Sequence, residues 1–75
     1  MNEAHALHDE IMEVLIFRSV SPDEGEEGIN TWLEEKADAY HRTFLVMIEE
    51  IPDLAVRWTQ EPEAVLAYIA ERLEV

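Results

Sequence analysis

The chain has 75 residues, with 18 acidic against 5 basic side chains, a formal net charge of -13, 48% hydrophobic residues and no cysteine. This length allows one domain with a modest core, and the apolar content is too high for a disordered acidic tail; a disulfide framework, a thiolate zinc site and a cysteine nucleophile are excluded. Direct binding to nucleic acid or to an anionic membrane surface is rejected too, because both need a basic stripe, and Arg18, Lys36, Arg42, Arg57 and Arg72 stand isolated among the acids.

A first helix is expected from Glu3 to about Ser19. Ala4, Leu7, Ile11, Val14, Leu15 and Arg18 fall on one side of it at 3.6 residues per turn. The β-branched stretch from Ile11 to Phe17 also permits a strand, but the period over the whole segment favours helix. Met12 and Ile16 lie off the main stripe and give this helix a second apolar face.

Ser21-Pro22-Asp23-Glu24 carries the strongest local signal: a capping residue, a proline suited to the first helical position, and acids that match the positive end of the helix dipole. Gly25 and Gly28 oppose a helix beginning there, at about 1 kcal/mol each, and Thr31-Trp32-Leu33-Glu34 offers a second capping box. Two starts therefore stay open, one at Pro22 and one near Trp32.

Once begun, the second helix shows Trp32, Leu33, Ala37, Tyr40, Phe44, Met47, Ile48 and Ile51 at steps of three and four, with Leu45 and Val46 off this stripe. Pro52 should end it. Asp53 is expected to cap a short helix that turns Leu54 and Trp58 inward. A last helix should start at Pro62 and bury Val65, Leu66, Ile69, Ala70 and Leu73. Residues 1–75 are thus expected to form a single acidic domain, an all-α bundle of three main helices plus one short helix, with an antiparallel helical hairpin at its centre.

The histidines form the one arrangement with metal-binding character. His5, His8 and Asp9 share the first helix, Asp38 and His41 are three apart on the second, and His41 comes to about the height of His8 if the two long helices pair, so three imidazoles and two carboxylates could surround zinc or iron. Neither Glu-x-x-His nor His-Glu-x-x-His is present, and the simpler expectation is that His8 and His41 edge the apolar stripes while His5 faces water. No metal and no cofactor is expected. The hydroxyls of Ser19, Ser21, Thr31, Thr43 and Thr59 match no nucleophile motif, and two glycines cannot build a phosphate-cradling loop. Enzyme activity is not expected.

Charge then points to partners. Glu24, Glu26 and Glu27 precede the second helix, Glu34, Glu35 and Asp38 lie along it, and Glu49, Glu50 and Asp53 mark its end. Solubility alone explains some surplus acid. Yet two like charges ~10 Å apart in water repel by about 0.4 kcal/mol before screening, and 13 uncompensated charges make many such pairs. That cost suits a protein whose field attracts a basic partner. The leading expectation is a non-enzymatic module that docks on a basic, even nucleic-acid-binding, surface of another protein and inhibits it, in the manner of nucleic-acid mimics or phage anti-defence proteins such as anti-CRISPRs. The alternatives are an antitoxin or immunity protein neutralising one cognate protein, and a His/Asp metal-binding bundle. Met12, Ile16, Leu45 and Val46 are the expected apolar contacts, with a partner or with a second copy in a homodimer, unless burial on two sides within the monomer accounts for them. No segment reaches the ~18 to 20 apolar residues of a membrane span. The Met1-Asn2-Glu3-Ala4-His5 start lacks a basic n-region, so a cytoplasmic location is expected.

Overall fold

The stripe through Leu7, Ile11 and Leu15 becomes one edge of a helix, α1 (Glu3–Ser19), in a computed structural model that describes residues 3–73. Ile11 and Leu15 are buried and Leu7 and Val14 pack against the core, so the 3.6-residue period prevails over the β-branched composition of residues 11–17. No strand occurs among the described residues.

The two competing starts of the second helix resolve through the glycines. Ser21 caps a 3-10 turn, Pro22–Glu24, with a complete capping box in which the Glu24 carboxylate accepts the Ser21 N–H at 3.0 Å. Gly25 then takes φ 58° and ψ -143°, a conformation closed to side chains with a Cβ, and reorients the chain into α2 (Gly25–Glu50). Gly28 serves close approach instead. A Cβ there would stand 2.6 Å from Glu24 Cβ and 2.7 Å from Val20 Cγ1, so the missing side chain lets the end of α1 lie against the start of α2. Thr31 falls inside α2, and the second capping box starts no helix.

Trp32, Tyr40, Phe44 and Met47 form the buried edge of α2, with Leu33 and Ile51 packed on the core; Ile48, expected among them, is 37% exposed at the border. The helix stops at Glu50, ahead of Pro52, and Ile51 N–H closes its last turn on Met47 O at 2.8 Å. Asp53 does not cap by its side chain as expected. It adopts the left-handed conformation (φ 56°, ψ 47°), which short polar residues tolerate best after glycine, and its carboxylate makes no capping bond. The chain thereby turns into α3 (Leu54–Gln60), which buries Leu54 and half-buries Trp58, and then into α4 (Pro62–Leu73), which buries Val65, Leu66, Ile69 and Leu73.

The fold is all-α, and among the described residues four α-helices contribute to one core that contains no polar or charged residue. Its radius of gyration of 12.3 Å and extents of 36 × 23 × 22 Å describe a body drawn out along its longest axis. None of the described helices is long and apolar enough to cross a membrane.

Candidate functional site

All the acids singled out in the sequence, Glu24, Glu26, Glu27, Glu34, Glu35, Asp38, Glu49, Glu50 and Asp53, are exposed. They do not make one patch. Glu27 and Glu49 stand 22 residues apart on α2, about 33 Å along its axis, so the acids at the start of the helix are far from those at its end. Two of them have structural partners: Glu24 completes the capping box, and Glu50 accepts the hydroxyl of Tyr68 on α4. That bond holds the Tyr68 phenol above its ordinary range, while Arg72 stacks 3.5 Å over the ring.

Acids and apolar side chains meet in a groove of about 990 Å³ where the end of α1, the first half of α2 and the inner face of α4 come together. Leu15, Val20, Trp32 and Leu66 supply apolar surface, and Ala67 and Ala70 on α4 leave it wide. Asp23, Glu24, Glu27 and Glu35 line the α2 side, with Lys36 among them, and Glu63 lines the α4 side. Arg18 on α1 donates both guanidinium arms to Glu63, at 2.8 and 2.6 Å. These hydrogen bonds hold the Glu63 carboxyl below its usual range and raise the guanidinium.

Sequence reasoning missed Asp23 and Glu63 as members of this site. One signal was available for Glu63: Arg18 sits on the apolar stripe of α1, and a cation in that position calls for an anion from a neighbouring element. Trp32 is 4% exposed and borders the groove, while its Nε1–H lies covered with no hydrogen-bond acceptor. An unsatisfied buried donor costs about 1–3 kcal/mol, and none is visible from sequence.

The histidines meet in a line. His5 Nε2 is 3.6 Å from Asp9 Oδ2, Asp9 Oδ1 is 3.1 Å from His8 Nδ1, and His8 Nε2 is 3.3 Å from His41 Nδ1. His8 therefore spends one ring nitrogen on Asp9 and the other on His41. His8 is half-buried beside Tyr40 and edge-on to Phe44, whereas His5 and His41 are exposed. No set of three histidine or carboxylate side chains among the described residues converges so that it could hold a metal ion.

The four off-stripe apolar residues separate into two pairs. Met12 and Ile16 are partly buried and pack on the core of the same chain, which fits burial within the monomer. Leu45 and Val46 stay exposed, at 51% and 44%. Phe17, which the stripe analysis passed over, is the most exposed large apolar side chain described, at 84%.

No protein family matches this chain, and neither the curated proteins nor the solved structures compared with it include a significant match.

Proposed function

We propose that this chain is a non-enzymatic acidic module that docks on a basic surface of a partner protein and occludes it. The observation that carries this reading is the state of its acids. Every carboxylate whose side chain is described faces solvent, and among them only Glu61 and Glu63 are ion-paired with arginine, at Arg57 and Arg18. The remaining negative charge is uncompensated on an ordered helical frame. Such a field speeds encounter with a positive surface and repels acidic ones.

The frame in this proposal is a bundle of three long helices, α1, α2 and α4, with α3 as the short connector and α1 and α2 as an antiparallel pair. The contacts of His8 with Tyr40, His41 and Phe44, and of Val20 with the Gly28 turn of α2, support that arrangement. Carboxylates spaced along such a frame can stand in for phosphates, so a nucleic-acid-binding surface is the target that the charge pattern suits best.

The test is capture of partners from the native cell by the immobilised protein, with identification of what is held. A basic protein released by about 0.5 M salt, where the Debye length shrinks to roughly 4 Å, is the expected result. A specific partner held equally well at low and high salt overturns the proposal.

A further inference from the structure

The groove between α1, α2 and α4 carries a narrower inference, which rests on the reading above. Its floor is apolar, through Leu15, Trp32 and Leu66, and its α2 wall sets Asp23, Glu24, Glu27 and Glu35 against the single cation Lys36, because Arg18 is already tied to Glu63. The volume of about 990 Å³ lies at the top of the ~300–1,000 Å³ range of small-molecule sites, and the groove is an open trough. Independently of the charge, Trp32, which lines the groove, keeps a buried indole N–H that lacks an acceptor. We propose that the groove receives an amphipathic segment of a partner protein. The segment sets an apolar side chain against the floor at Trp32 and Leu66, and lysine or arginine against Glu27 and Glu35.

Charge selects this occupant over the others. A second copy of the chain would bring a net charge of -13 to an acidic wall, and nucleic acid would be repelled in the same way. A purely apolar segment would leave the carboxylates of the wall without partners.

The experiment uses the full chain with Trp58→Phe, so that Trp32 is the sole tryptophan. It is titrated at low salt with a synthetic peptide of about 14 residues carrying leucine and lysine at helical spacing, and with its leucine/glutamate counterpart. The expected result is saturable binding of the lysine peptide alone, with a shifted Trp32 indole Hε1 resonance and a changed Trp32 fluorescence. The double variant Glu27→Gln, Glu35→Gln should weaken binding about tenfold. Glu49→Gln with Glu50→Gln removes equal charge at the far end of α2 and should leave affinity within about twofold. Binding that ignores Trp32, or that falls equally in both double variants, overturns the groove while leaving a general acidic docking surface standing. Equal binding of both peptides overturns the charge selection and with it this proposal. No binding of the lysine peptide, beside salt-sensitive capture of a basic protein in the experiment above, overturns the groove alone; failure of both removes both readings.

Discussion

The phenolic hydroxyl of Tyr40 on α2 donates a 2.6 Å hydrogen bond to the main-chain carbonyl of His8 on α1, and the Tyr40 ring is fully buried beside the His8 ring. One side chain thus ties the two longest helices through packing and through a polar contact at the same point. Burial, followed by the negative charge of Asp9, pushes the Tyr40 phenol well above its ordinary value of 10.0.

Tyr40→Phe keeps the packing and removes the hydrogen bond, and should cost about 1 kcal/mol in chemical denaturation at neutral pH. The alkaline behaviour follows from the raised value. The unfolded chain releases this proton near pH 10.0 while the folded chain holds it, so the contribution of Tyr40 is complete below that pH and is lost as pH rises above it. Stability measured from pH 8 to 11 should fall off less steeply in the phenylalanine variant.

The glycines at the start of α2 do different work and should respond differently from ordinary helix glycines. Gly25→Ala forces a Cβ into the glycine-only conformation and should destabilise by about 1–3 kcal/mol. Gly28→Ala gains about 1 kcal/mol of helix propensity but meets both Val20 and Glu24 too closely, so a net loss is expected. Against a total stability of roughly 4–11 kcal/mol for a domain this size, thermal unfolding resolves both.

Arg18 and Glu63 join α1 to α4 at the mouth of the groove. Because Glu63 is held below its ordinary value of 4.5, its contribution is present above that pH and is lost as pH falls through the lower folded value. Glu63→Gln should flatten the acid limb of the melting temperature against pH at low salt. Both side chains are largely exposed, so the difference between variant and parent should fade in high salt.

Added salt should raise the stability of the parent protein. Screening weakens the pairs Arg18–Glu63 and Arg57–Glu61, but it relieves repulsion among a far larger number of unpaired carboxylates. A rise in melting temperature of about 5 °C or more between low salt and about 0.5 M is expected by calorimetry.

Local rules made much of the fold legible. The spacing of Ile11 and Leu15, of Tyr40, Phe44 and Met47, and of Val65, Leu66 and Ile69 marks three helix faces, and Pro22, Pro52 and Pro62 mark where segments begin or end. Asp53 read as a side-chain cap because aspartate commonly caps; its left-handed backbone answers instead to the direction in which α3 must leave to bury Leu54. The groove was less legible than the helices. Its acids are separated in sequence, and Glu63 joins Asp23, Glu24, Glu27 and Glu35 only because α4 comes back to the end of α1, 45 residues from Arg18.

By itself, the sequence determined an acidic, all-helical chain, since propensity, apolar period and caps act over a few neighbouring residues. Tertiary structure alone decided which apolar faces are covered and which acids become neighbours. Met12 and Ile16 pack inward while Phe17, Leu45 and Val46 remain in solvent, and Trp32 is buried beside the groove with its N–H unanswered. These outcomes depend on where one helix lies against another, and that placement is set by contacts distant in the chain that no local pattern encodes.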